Sequence, residues 1–162
     1  MNGIANIYKM PATLTRTDSS DLHFHALVDL LNAELAEIDG EEHEFYSQFN
    51  AIDQLKHVVI AFENDSPIAC GAMKPFGTES MEIKRMYTRK ASRGQGIGAR
   101  VLSELEAWAA ALGFKSCVLE TGDRQPDAVA LYSKMGYNRI ENYGQYKGIE
   151  NSLCFEKRLI IT

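Results

Sequence analysis

The sequence predicts an α/β chain: a central mixed, mostly antiparallel sheet of about six to seven strands flanked by about four helices. Three observations lead there. Short apolar stretches between His57 and Tyr87 are joined by connections too short for anything but an antiparallel meander. A strand, a long amphipathic helix and a second strand then follow between Met81 and Glu120, the pattern of a right-handed crossover joining parallel neighbours. Between the meander and that helix lies Arg93-Gly94-Gln95-Gly96-Ile97-Gly98, whose glycines leave backbone N–H groups uncovered where a helix begins.

The elements follow in order. Thr13–Arg16 suits a first strand after Pro11, and Thr17-Asp18-Ser19-Ser20-Asp21 is turn and cap chemistry. Leu22, Ala26, Leu27, Leu30, Leu31 and Leu35 recur at helical spacing, giving a helix to about Glu37 that Gly40 ends. A shorter helix is expected over Phe45 to Asn50, with Ile52 and Leu55 packing beside it. His57–Phe62 and Ile68–Met73 flank an Asn64-Asp65 turn, and Gly77-Thr78 leads into Met81–Tyr87. The helix from Ala99 to Leu112 buries Val101, Leu102, Leu105, Trp108, Ala109 and Leu112, positions that fit a period of 3.6 and not 2, and Gly113 stops it. Lys115–Glu120 is a compact strand. Pro126 opens a helix to about Met135, and Tyr137–Ile140 and Ser152–Leu159 close the sheet. No repeat or linker divides the 162 residues, so a single domain spanning 1–162 is expected.

Composition narrows the functional classes. A hydrophobic share of 45% and a charged share of 24% are those of an ordinary globule. With 17 basic against 22 acidic residues the formal net charge is −5, which disfavours a nucleic-acid or anionic-membrane partner. Against that balance, Lys84, Arg85, Arg89, Lys90, Arg93 and Arg100 fall in a stretch without a single acid, the local signature of an anionic ligand site. Cys70, Cys117 and Cys154 are odd in number and set in apolar runs, as buried free thiols would be, and no apolar run approaches the ~20 residues of a membrane span. The expected location is the cytoplasm. His23, His25 and His43 lack metal-ligand spacing, His57 starts a strand, and no metal is expected.

The glycine stretch is the strongest chemical signal. Uncapped N–H groups and the positive end of a helix dipole hold phosphate, and Arg93 and Gln95 add side-chain donors. The alternative is a plain strand-to-helix turn. Nucleotide-binding loops fit less well, because no Gly-Lys-Ser/Thr ending is present and the glycines follow a meander rather than a first strand. About 35 residues on, Tyr132 supplies a phenol that stays protonated at neutral pH, since its unperturbed pKa is near ~10. An anion cradle followed by a placed phenol points to an enzyme using a phosphate-bearing acyl donor.

Two motifs together make the chain resemble the GNAT superfamily of acetyl-coenzyme A-dependent N-acetyltransferases. The acyl-donor motif Arg/Gln-x-x-Gly-x-Gly/Ala is matched by Arg93 to Gly98, and the later family pattern Leu-Tyr-x-x-x-Gly-Phe/Tyr falls within the run Val129 to Tyr137. The resemblance covers roughly Ile83 to Tyr137 and implies the acyl-CoA N-acyltransferase fold. It implies acetyl-CoA as cosubstrate, its diphosphate on the amides around Gln95, Gly96 and Gly98 within the segment Arg93, Gly94, Gln95, Gly96, Ile97, Gly98 and Ala99. Pantetheine would run along the strand edge at Met86, Tyr87 and Thr88, and Tyr132 would protonate the departing thiolate. Many relatives carry an Asn after the next strand, where this chain has Thr121 to Gln125.

The base is left open between Glu82, which shares strand parity with Lys84 and Met86, and Glu120, which ends the next strand. Acceptor contacts are expected from Lys84 and from Tyr143 and Tyr146, whose loop is read either as a pocket wall or as a surface turn; Lys84 and Arg85 are candidates to hold a carboxylate, with one facing each side of the strand. The expected reaction is direct transfer to a primary amine of a small molecule in a ternary complex. A protein N-terminus or lysine as acceptor, a non-catalytic acyl-CoA sensor and an ATP-binding regulatory domain are the alternatives. A homodimer is compatible with the resemblance.

Overall fold

The computed structural model describes residues 11–42 and 54–160. The short helix expected over Phe45 to Asn50, Ile52 and His43 lie outside those residues. The chain forms β1 (Thr13–Thr17), α1 (Leu22–Asp39), β2 (His57–Glu63), β3 (Ser66–Phe76), β4 (Ser80–Thr88), α2 (Ile97–Ala111), β5 (Ser116–Gly122), α3 (Pro126–Lys134), β6 (Asn138–Ile140) and β7 (Ser152–Arg158). The seven strands make one sheet in the order β1-β2-β3-β4-β5-β7-β6. Only β4 and β5 are parallel, so the sheet is mixed and mostly antiparallel, as expected. The last strand turns back to insert between β5 and β6.

Local chemistry explains the elements. Asp21 caps α1 by accepting from the His23 amide at 2.9 Å, and Gly40 leaves the helix with φ +55°. The Asn64-Asp65 turn has positive φ at both residues, the geometry that lets a two-residue hairpin follow the strand twist. Helix α1 buries Phe24, Leu27, Val28 and Leu31, whereas Leu22 at its first turn stands 80% exposed. Leu112, expected inside, caps α2 and is exposed, because the helix ends one residue earlier.

Two apolar layers sandwich the sheet. On one face α2 and α3 cover Val59, Ala69, Met73, Met81, Ile83, Cys117, Leu119 and Phe155; on the other, α1 covers Val58, Ile60, Cys70 and Ala72. A buried polar knot ties α2 to the far end of the sheet. Glu106 accepts from the Tyr137 hydroxyl and the Lys157 ammonium, each at 2.8 Å. All three cysteines are free and buried.

One irregularity positions everything that follows. Across β3 and β4, Cys70 pairs with Tyr87 but Ala72 pairs with Lys84, so Arg85 and Met86 together oppose Gly71. Arg85 takes the extra turn at φ +57°. From this bulge onward the alternation of β4 is shifted. Met86 therefore packs with the α2 layer, opposite to Glu82 and Lys84, and Arg85 sits with Lys84 on the α1 face. The expected shared parity of Glu82 and Met86, and the expected separation of Lys84 from Arg85, are both corrected by that single inserted residue.

Gly71 is required by space rather than by backbone angle. A Cβ there would press on the Met86 sulfur, lie 2.9 Å from Leu105 Cδ1 and lie 3.1 Å from Val101 Cγ1. Gly71→Ala is expected to destabilise the fold by about 1–3 kcal/mol through overpacking, read as a lower midpoint in chemical denaturation.

Candidate active site

Parallel pairing between β4 and β5 runs only from Ser80–Ser116 to Ile83–Leu119. Beyond it β5 continues to Gly122 against β7 alone, while β4 bends away at the bulge. The two strands thus form a fork whose facing backbone groups are not used by the sheet. Two groups of residues meet around it, one on each face.

The first group forms a cleft of about 640 Å³ between the end of β4, the glycine stretch, α3 and the C-terminal half of α1. Its wall includes Met86, Tyr87 and Thr88 from β4, then Arg93, Gly94, Gly96, Ile97, Gly98 and Ala99, with Tyr132 from α3. Gly96 is the N-cap of α2, at φ +77° and without a side-chain cap, so the first-turn N–H groups face an unobstructed space. A Cβ on Gly94 or Gly96 would touch nothing within 4 Å, so these glycines serve backbone angle, not room. The cleft suits a long ligand with an anionic portion at the helix end and an apolar run past Leu31, Ile97 and Leu131.

Two details depart from expectation. Gln95 is exposed and does not line the cleft. Arg93 is held: Nη1 and Nη2 donate to the two carboxylate oxygens of Glu34 at 3.0 and 2.7 Å, and Nε donates to the Thr88 carbonyl at 2.8 Å. Glu34 lies on α1, 59 residues away in sequence. The hydrogen bonds from Arg93 pull the Glu34 carboxyl below its usual range. The sequence places Glu34 in an acidic stretch that is read either as an attraction for a cationic acceptor or as a solvated loop, and nothing local marks a helix residue as the partner of a distant loop. The helical stripe that includes Leu31 and Leu35 was the available signal.

The second group lies on the α1 face. Glu82 and Lys84 of β4 approach with Oε1 and Nζ 3.7 Å apart, both almost wholly buried. Tyr143 donates its hydroxyl to Glu82 Oε2 at 2.8 Å, and its ring meets Tyr146 at 5.8 Å and Phe76 at 4.6 Å. Tyr146 is only 4% exposed, so this loop walls the α1 face and is not a surface turn. Glu120 completes the group. Burial pushes its carboxyl from 4.5 up to about 7, against the opposing pull of Ser152 and Lys84 and with support from the charges of Glu82 and Asp39.

Tyr132 and Glu120 face the fork from opposite sides. Tyr132 is 7% exposed, and burial together with the Glu120 charge holds its phenol above the ordinary range, so it stays protonated. Such a pair can remove a proton on one face and donate a hydrogen bond on the other. The thiols offer no competing nucleophile: burial raises Cys70 and Cys117 to about 12 and raises Cys154 as well. No group of three His, Cys, Asp or Glu converges among the described residues, and no described helix is long and apolar enough to cross a membrane.

Comparison with known proteins agrees on one family. The model of the Acetyltransferase (GNAT) family matches residues 24–137. An IAA acetyltransferase of Azospirillum brasilense is 36% identical over 103 residues, covering 62% of this chain and 67% of its own length. The uncharacterized N-acetyltransferase C1271.07c of Schizosaccharomyces pombe is 37% identical over 82 residues, half of each chain. The chain thus spans about a third to two thirds of the length of the curated relatives it matches. Among solved structures, one assigned as an acyl-CoA N-acyltransferase from Klebsiella pneumoniae superposes with a TM-score of 0.78 at 27% identity, covering 92% of this chain and 98% of the other. A GNAT family acetyltransferase from Elizabethkingia anophelis, solved with acetyl-CoA bound, superposes with a TM-score of 0.59 at 21% identity over 72% of this chain and 82% of its own.

The Glu120 environment has a thermodynamic signature. Its folded pKa of about 7 exceeds the unfolded 4.5, so the folded state holds the extra proton between those values. Stability therefore falls as pH rises through that window and stays lower above it. Glu120→Gln is expected to flatten this dependence, gaining up to roughly 3 kcal/mol over the parent at pH 8 relative to pH 4 in urea titrations.

Proposed function

Because the chain belongs to the GNAT acetyltransferase family, we propose that it is an acetyl-CoA-dependent enzyme that acetylates a primary amine of a small molecule by direct attack in a ternary complex. The observation that carries this reading is the β4–β5 fork, with an uncapped helix start on one side and a titratable acid and a phenol on its two faces.

The residues present fit the cosubstrate. The diphosphate would rest on the free amides at Gly96, Ile97 and Gly98, where the dipole of α2 favours negative charge. Pantetheine amides would pair with backbone left open along β4 from Met86 to Thr88, in the manner of an added strand. Acetyl-CoA supplies an acetyl group already activated as a thioester; the protein supplies alignment, a base and a hydrogen-bond donor.

Glu120 is the better base. The Glu82 carboxylate is engaged by Tyr143 and Lys84, which suits it to holding the site's charge balance. Glu120 is raised to about 7, which narrows the gap to an ammonium near ~10 by about 3 kcal/mol compared with an ordinary glutamate. Tyr132 donates a hydrogen bond to the departing sulfur. Its phenol is held above the usual range, so full proton transfer to a thiolate near ~8.5 is uphill, and stabilising the developing charge is its contribution. Lys84, Tyr143 and Tyr146 wall the side from which the amine enters. The high-lying thiols favour transfer without an acetyl-cysteine step.

Calorimetry with acetyl-CoA and a thiol-release assay over an amine panel test this reading together; a folded protein with no affinity for acetyl-CoA would refute it. Tyr132→Phe is expected to keep acetyl-CoA affinity while kcat falls by about 10²–10³-fold. The parent rate should rise with pH through about 7 as Glu120 loses its proton, and Glu120→Gln should lose that limb of the profile.

A further inference from the structure

Arg85 is a buried cation that no described acidic residue neutralises. It is 6% exposed, and its Nη2 donates to the Asn32 amide oxygen of α1. Its Nε is buried with no hydrogen-bond partner. Cys70 gives its thiol hydrogen to the Arg85 carbonyl and is kept neutral by burial, so it contributes no negative charge. Among the described residues no carboxylate forms an ion pair with Arg85, whereas Arg16, Arg93 and Lys157 each have one. Burial of an unpaired guanidinium is costly, and its desolvation lowers the Arg85 pKa.

The backbone makes the same point independently. Arg85 is the bulge residue at φ +57°, a conformation in which glycine or asparagine would sit with less strain. The chain keeps an arginine there, and the bulge turns it onto the α1 face beside Lys84, the face that carries Glu82 and Glu120. It does not line the cleft assigned to the acyl donor, although the next residues along β4 do. A strained, buried, half-satisfied guanidinium on this face has the chemistry of an anion receptor.

We propose that Arg85 receives a carboxylate of the acceptor, so that the amine acetylated belongs to an amino acid or to another small amine carrying a carboxylate a few bonds away. The substrate's anion takes the Nε–H that has no hydrogen-bond partner, which puts its amine on the face that carries Glu120. This assignment rests on the N-acetyltransferase reading above.

The test compares matched acceptors: free amino acids against the amines that lack only the carboxylate, in a thiol-release assay. The acids are expected to have kcat/KM at least about 10-fold higher, the scale of one charge-assisted hydrogen bond. Asn32→Asp brings a carboxylate of the protein to the same guanidinium. In that variant the preference should collapse toward parity, with the acetyl-CoA KM and the turnover of neutral amines unchanged and the melting temperature not lowered. Arg85→Lys, if it folds, should also lose most of the preference. A parent enzyme that favours the neutral amines, or a preference that survives in Asn32→Asp, would overturn the proposal. A melting assay with the same amino acids and their N-acetyl forms reads the anion site without turnover. Protection lost in Asn32→Asp supports it even if no amine is acetylated, which would refute only the acetyltransferase reading; absence of protection in the parent overturns it.

Discussion

The inserted residue in β4 is the constraint on which the rest of the architecture depends. A strand of strict alternation would place Met86 with Glu82 and Lys84 and would carry its hydrogen bonds along β5 to the end. With two residues set against Gly71, the strand instead bends, its side chains change faces, and the partner strand is released after Ile83. The fork, the packing of Met86 under α2 and the turning of Arg85 toward α1 are three results of one register change. Gly71 is its counterpart on β3, since only a residue without a side chain leaves room for Met86 to enter the α2 layer.

The two faces of the sheet consequently differ in kind. One is a conventional apolar layer under α2, interrupted near the fork by Tyr132. The other holds an acid raised by burial, an engaged acid–lysine pair, two tyrosines and an arginine without a counter-charge among the described residues. Buried charges of this kind weaken a fold unless a ligand or a precise partner satisfies them, and they concentrate around the opening of the sheet. Stability is supplied elsewhere, by the two apolar layers and by the Glu106–Tyr137–Lys157 knot at the opposite end of α2.

Much of this was legible in the sequence because the signals are local. The crossover from β4 through α2 to β5 can be read from strand and helix periods, and Gly96 declares an uncapped helix start from its own neighbourhood. Tyr132 is found by its place in a helix that Pro126 opens. What could not be read arises from distance or from a change of one residue in register. Arg85 carries no glycine or proline to announce the bulge, so the faces of Arg85 and Met86 followed the ordinary alternation and came out reversed. Glu34 meets Arg93 from 59 residues away in sequence, and β7 enters between β5 and β6 after a loop whose composition favours no particular neighbour. The burial of Tyr146 likewise depends on where that loop comes to rest.

The Arg93–Glu34 pair gives the cleft an anion of its own. Any phosphate that takes hold of Arg93 exchanges with a carboxylate already seated there, so docking is a swap of one counter-ion for another rather than the filling of a bare charge. The net electrostatic gain is smaller than the ligand's formal charge implies, and the released Glu34 frees the C-terminal half of α1 from the glycine stretch. Added salt loosens both the resident and the incoming partner, so the two screening effects oppose each other in the exchange.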